Sequence, residues 1–244
     1  MNKVELFLWG VLPYIIAAIF VTAIIWRYVT NPFGWTSKSS EMLEKRILRW
    51  GSLLFHYGLI AVFCGHIAGL LVPVSVYRSL GISDEAYHLA AIVGGLPAGI
   101  ITFIGVLILL YRRFAVDRIR LTSSAGDKIA LVVLTIVILS GLAATSANAL
   151  SHSGFDYRTT INPWLRGLLV FQPDPELMRT VPLGFKLHIL TTFALYLVIP
   201  FTRLVHLFSL PLGYLRRSYV LYRRRGEAGA EAALHDRQNR KEAM

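Results

Sequence analysis

Four histidines fall inside apolar stretches long enough to cross a membrane: His56 and His66 in one, His188 and His206 in another. An ionisable side chain held in hydrocarbon is costly and marks a candidate functional position. Neutral imidazole is a common metal ligand, offering one ring nitrogen to the metal while a hydrogen bond fixes the other. Two histidines on each of two helices are what two bis-histidine haems stacked across a bilayer require. Such a stack carries electrons from one membrane face to the other. The remaining histidines stand apart: His88 at the start of another apolar run, His152 in a loop and His235 near the end, the last two read as solvated.

The elements that must position these residues are legible as apolar runs near 5–26, 51–74, 87–111, 127–147 and 183–210. Each matches the about 20 residues needed to span roughly 30 Å of hydrocarbon at about 1.5 Å per residue. No alternating pattern of short strands competes with this reading. The expected fold is therefore all-α: an integral membrane bundle of five transmembrane helices. Composition agrees, since 55% of the 244 residues are hydrophobic and only 16% are charged, too few charges to cover a soluble domain of this size. A net charge of +11 would suit nucleic acid, but the cations cluster in the short segments between apolar runs, where lipid headgroups and partner subunits lie. Cys64 is the lone cysteine, so this chain has neither a disulfide framework nor the ligands of an iron–sulfur cluster. The first run lacks a basic leader and a small-residue cleavage site, and no removed signal peptide is expected.

Cations also set the direction of the chain. The connection after the first run carries Arg27, Lys38, Lys45, Arg46 and Arg49; that after the third carries Arg112, Arg113, Arg118, Arg120 and Lys128. After the fifth come Arg203, Arg216, Arg217, Arg223, Arg224 and Arg225, whereas the other two connections hold few, scattered cations. The amino terminus is thus expected outside and the carboxy terminus in the cytoplasm. Residues 1–225 read as the membrane domain and 226–244 as a charged cytoplasmic tail, a helix or frayed segment resting on a partner. The connection at 148–182, rich in proline and carrying Asn162-Pro163-Trp164, reads as a structured external loop.

With this topology His56 and His206 lie near the inner face, and His66 and His188 near the outer face. Depth pairs His66 with His188 and His56 with His206. Helical rise separates His56 from His66 by about 15 Å and His188 from His206 by about 27 Å, so two irons midway between their ligands lie roughly 20 Å apart. On an unbroken helix His188 and His206 share one face, five turns apart, while His56 and His66 differ by about 80° around theirs. Helix tilt must absorb that mismatch, and Pro200 should bend the fifth helix. Gly58, Gly65 and Gly69 form a small-residue stripe on the second helix. The stripe serves either close approach of a flat macrocycle or helix packing. Gly94, Gly95, Pro97 and Gly99 could likewise kink the third helix or pack it. Arg112, Arg113 and Arg203, at inner helix ends, read either as partners of haem propionates or as plain topology signals.

The stretch from Ser40-Glu41-Met42-Leu43 through Phe55-His56-Tyr57-Gly58 to Gly65-His66 resembles the gamma subunit of respiratory nitrate reductase, a dihaem cytochrome b. So do Lys186-Leu187-His188 and Pro200-Phe201-Thr202-Arg203-Leu204-Val205-His206, followed by Ser209-Leu210-Pro211. The resemblance covers most of the chain, to about Arg225. It implies a multi-pass subunit of the prokaryotic plasma (inner) membrane that oxidises quinol near the outer face. Electrons would pass from the His66/His188 haem b to the His56/His206 haem b. They would then reach an iron–sulfur beta subunit and a molybdenum-containing alpha subunit that reduces nitrate on the cytoplasmic face. Nitrate chemistry would lie outside this chain, and protons released outside would contribute to the gradient. Where family members can carry a quinol-binding lysine, this chain reads Asp84-Glu85-Ala86-Tyr87-His88. His88 is the candidate catalytic residue there, able to hydrogen-bond a quinol oxygen or take its proton. An interfacial histidine facing water is the plainer reading. Asp84 and Glu85 are candidate proton exits. Alternatives are a gamma-type cytochrome b of another quinone-linked complex (sulfur or heterodisulfide chemistry), a haem-binding anchor without quinol turnover, and a transporter with histidine proton relays.

Overall fold

A computed structural model describes residues 2–31, 35, 39–151 and 155–208. His152, the end of the fifth apolar run, the expected domain boundary at 225 and the tail with His235 lie outside the described residues. All regular elements among the described residues are helical, and five helices are long and apolar enough to cross a membrane. They are α1 (Lys3–Thr30), α2 (Arg46–Leu71), α3 (Asp84–Ala115), α4 (Ala125–Leu150) and α5 (Leu183–Val198). The helices α1, α3 and α4 outrun their apolar stretches at both ends, because capping extends helices past their hydrophobic cores, while α2 starts early, at Arg46, and ends at Leu71. Ser83 accepts from the Ala86 amide at 3.1 Å, and Ser124 with Asp127 forms a capping box that starts α4.

Neighbouring helices in sequence pack together: α2 on α3, α3 on α4 and α4 on α5, with α1 closing against α5. The α2–α3 contact is the most extensive, and glycines permit it. A Cβ on Gly105 would collide with the Phe55 backbone nitrogen, and one on Gly58 would sit 2.5 Å from Thr102 Oγ1. Phe55, Val106 and Leu134 form the buried centre of this three-helix contact. The helix α3 runs without interruption through Gly94, Gly95, Pro97 and Gly99.

Two helices carry π turns. In α1, Pro13 has no N–H to give the Trp9 carbonyl four residues earlier, and a π turn occupies Phe7–Val11. The Trp9 carbonyl instead accepts from Trp164 Nε1 at 2.8 Å. Trp164 belongs to a helix, Ile161–Leu169, in the connection between α4 and α5. Residues 155–182 of that connection pack on the bundle: Ile161, Trp164, Met178 and Val181 bury themselves against Trp9. In α2 the α-helix ends at His66 and widens into a π turn over Ile67–Leu71.

The fifth run departs most from a straight helix. The helix α5 ends at Val198, a 3-10 turn covers Ile199–Phe201, and Thr202 is extended (φ −121°, ψ −176°). A second 3-10 segment, Arg203–Phe208, then carries His206. The expectation that His188 and His206 share one face of a continuous five-turn helix is therefore corrected. Pro200 lacks the amide that would continue the ladder, and the chain leaves the helical path rather than bending gently.

Candidate functional site

The helices α2 and α5 have little direct contact with each other, yet their histidines face across the space between them. The His66 and His188 ring centroids are 6.3 Å apart, and those of His56 and His206 are 6.4 Å apart. These are the two pairs expected from depth. The two planes of each pair are inclined by 44° and 61° respectively.

Hydrogen bonds settle which nitrogen of each ring is presented. His56 Nδ1–H donates to the Ser52 carbonyl at 2.8 Å and His66 Nδ1–H to the Val62 carbonyl at 2.8 Å, each one turn back along α2. His206 Nδ1–H donates to the Arg203 carbonyl at 2.6 Å. His188 relies on α4 instead. The Ser140 hydroxyl donates to the Val137 carbonyl at 2.8 Å, which leaves its oxygen to accept from His188 Nδ1–H at 3.1 Å. With every Nδ1 engaged, Nε2 is the nitrogen that each ring has left for a metal.

The spacing of each pair fits a metal held between two imidazoles. A metal midway between two imidazoles, at a metal–nitrogen distance of about 2.0 Å, sets the ring centroids about 6.3 Å apart. Among the described residues no third His, Cys, Asp or Glu side chain joins either pair. Gly65, adjacent to His66, borders open space: a Cβ there would meet nothing within 4 Å. A flat ring could lie against it.

The other two glycines of the stripe face protein. Gly58 meets Thr102, as above; a Cβ on Gly69 would come within 3.3 Å of the Tyr87 hydroxyl, and the Gly69 carbonyl accepts from Asn162 Nδ2 at 2.5 Å. The arginines likewise meet carboxylates. Arg112, only 2% exposed, binds Glu44 Oε2 at 2.6 Å and also Ser40 and the Glu44 carbonyl, fastening the 40–44 segment to the end of α3. Arg203 pairs with Asp127, Nε to Oδ1 at 2.7 Å and Nη2 to Oδ2 at 2.6 Å, and Arg113 approaches the same carboxylate at 3.7 Å.

His88 lies in a polar cluster at the start of α3. Its Nε2 stands 3.2 Å from Arg158 Nη2 and 3.9 Å from Asp156 Oδ2. The Arg158 side chain, 3% exposed, also binds both Asp156 oxygens and reaches Asp84 Oδ1 at 3.2 Å. Its guanidinium stands 4.6 Å from the Tyr87 ring centroid, and Tyr87 shares a hydroxyl contact of 3.2 Å with Tyr157. Burial opposes ionisation of Asp156, yet hydrogen bonds from the Arg158 side chain and backbone, with its charge, hold the carboxyl below the usual carboxylate range. Burial and the Tyr87 contact push the Tyr157 phenol above its ordinary range. Glu85 is exposed on the first turn of α3.

Sequence reading missed three contributors. Ser140 and Gly141 seat His188: a Cβ on residue 141 would come within 2.8 Å of His188 Cε1. Their signal was available, since Ser-Gly interrupts an apolar span midway along α4. Arg158 is the third, and an arginine two residues after an aspartate in a loop carries no signal of burial.

A five-helix membrane bundle with two facing histidine pairs, stacked along one gap, defines a class of bis-imidazole membrane protein. The chain belongs to the nitrate reductase gamma subunit family, whose model matches residues 5–225. It is 54% identical over 218 residues to the nitrate reductase gamma chain of Bacillus subtilis (strain 168), covering 89% of this chain and 97% of that one. Identity to the respiratory nitrate reductase 2 gamma chain of Escherichia coli (strain K12) is 34%, over 91% of this chain and 97% of the relative. The nitrate reductase-like protein NarX of Mycobacterium tuberculosis (strain ATCC 25618 / H37Rv) is 42% identical over 91% of this chain, which matches 34% of that longer protein.

Proposed function

We propose that this chain is the dihaem cytochrome b subunit of a respiratory nitrate reductase in the prokaryotic plasma membrane, oxidising quinol and passing its electrons to partner subunits. The observation that carries this reading is the pair of facing imidazole sets, each at the spacing of bis-histidine iron. His66 and His188 would hold one haem b and His56 and His206 the other. When bound, the two haems supply one-electron carriers linking quinol at one membrane face to iron–sulfur and molybdenum subunits at the other. The protein's part is to present four Nε2 lone pairs, fix each ring through Nδ1, and leave space beside Gly65.

The cation distribution supports an outer amino terminus, which puts the His66/His188 pair and His88 on the outer side. Quinol oxidation releases two protons along with two electrons. In this reading the His88 imidazole hydrogen-bonds a quinol oxygen, and Asp84 and the exposed Glu85 pass released protons to water. The family membership supports alpha and beta partners at the opposite, cytoplasmic end.

The test is a reduced-minus-oxidised optical spectrum of the purified complex, with haem b quantified per chain and a menaquinol or ubiquinol analogue as reductant. Two b haems per chain, both reduced by quinol, are expected. Haem that only dithionite reduces would leave an anchor without quinol turnover, and a chain without haem would overturn the reading.

A further inference from the structure

The two ends of α5 solve different problems. His188 sits on a regular helix, but His206 follows a break in which Pro200 lacks an amide and Thr202 is extended. Such a break strands carbonyl groups inside an apolar bundle, where an unpartnered polar group is costly. Two ionised side chains from other helices meet it. From the last turn of α1, Arg27 Nη1 donates to the Pro200 carbonyl at 2.5 Å and to the Thr202 carbonyl at 2.8 Å. From the first turn of α4, Asp127, 6% exposed, takes Arg203 in a two-point ion pair at 2.7 and 2.6 Å. The Arg203 carbonyl in turn accepts from His206 Nδ1–H at 2.6 Å. The line of contact thus runs from Arg27 through the broken turn, and from Asp127 through Arg203, to the one imidazole of the four that no α-helix carries.

We propose that Arg27 and Asp127 are positioning residues for His206: they hold the interrupted end of α5 so that its imidazole meets His56 across the gap. Arg27 fixes where the break begins, and Asp127 fixes the residue whose carbonyl orients the ring. A bidentate carboxylate–guanidinium pair defines direction as well as distance, which a lone charge would not. This inference rests on the dihaem reading.

The experiment compares Arg27→Gln, Arg27→Lys and Asp127→Asn with wild type in the assembled complex. Potentiometric titration and low-spin EPR spectra are recorded for each haem, with His56→Ala and His66→Ala identifying which signal belongs to which pair. In Arg27→Gln and Asp127→Asn, the signal that His56→Ala removes is expected to shift or disappear, while the signal that His66→Ala removes stays in place. That second signal also reports that the bundle has folded. Arg27→Lys retains a donor and is expected to recover part of the wild-type spectrum. The proposal is overturned if both signals in Arg27→Gln and Asp127→Asn match wild type, or if the His66/His188 signal is the one that moves. If the histidine variants themselves remove no haem signal, the dihaem reading has failed, and the positioning proposal fails with it.

Discussion

The two histidine pairs present nearly the same ring spacing by different means. At the His66/His188 pair both imidazoles ride on helices, and the second is seated by small residues of a neighbour: Ser140 accepts its Nδ1–H and Gly141 leaves room for its ring. At the His56/His206 pair one imidazole follows a broken helix, and charged side chains from α1 and α4 bind the segment that carries it. Close packing fixes a ligand by excluding other positions. A clamp fixes it by satisfying the polar groups that the break exposes. The first site should therefore be sensitive to added volume, and the second to lost charge.

Adding volume at Gly141 gives the largest expected effect. Gly141→Leu should expel the His188 ring and remove the His66/His188 haem, measured as loss of one spectral component with the other retained. Loss of both components would mean that the sites are not independently built. Next comes Gly58→Ala, which intrudes on Thr102 in the α2–α3 contact rather than on either pair. It should lower thermal stability by about 1–3 kcal/mol, the usual cost of overpacking, while both haem potentials stay as in wild type. A selective change in one haem would return Gly58 to the site.

Smaller again is Ser140→Ala. Without the hydroxyl that holds Nδ1, retention of the His66/His188 haem under detergent dilution should weaken by about tenfold, in the range seen for such supporting groups. The other haem should dissociate at its wild-type rate.

The smallest effect is a pH dependence at the polar cluster. Arg158 holds the Asp156 carboxyl below its ordinary range, so the bond contributes stability that is full above about pH 4, the unfolded carboxylate value. That contribution is lost as the pH falls through the lower folded value. The difference in melting temperature between wild type and Arg158→Gln should accordingly narrow on acidification. A gap that widens would mean that Asp156 is not the partner that matters.

Much of this was legible from residues alone, because hydrocarbon imposes strong constraints. Spans, the all-helical fold and the pairing of histidines by depth follow from where apolar runs begin and end and where cations gather. What escaped was set by side-chain contact rather than by periodicity. An about 80° mismatch between His56 and His66 looked like a task for helix tilt; instead α2 stays helical through His66 and the break after Val198 re-aims His206. A proline in the sequence announces a defect but not its size, which depends here on Arg27 being in reach of two freed carbonyls. Gly58 and Gly65 are alike in sequence context, and only the neighbouring Thr102 separates a packing glycine from one bordering open space. Arg112 and Arg203 read as inner-face cations of uncertain purpose until Glu44 and Asp127 are seen beside them.

The most direct test of the central claim is the haem spectrum of four single variants, His56→Ala, His66→Ala, His188→Ala and His206→Ala, each in the intact complex. The facing pairs predict two classes: His66→Ala and His188→Ala lose one and the same component, and His56→Ala and His206→Ala lose the other. A grouping of His56 with His188, or a wild-type complex that binds no haem, would contradict it.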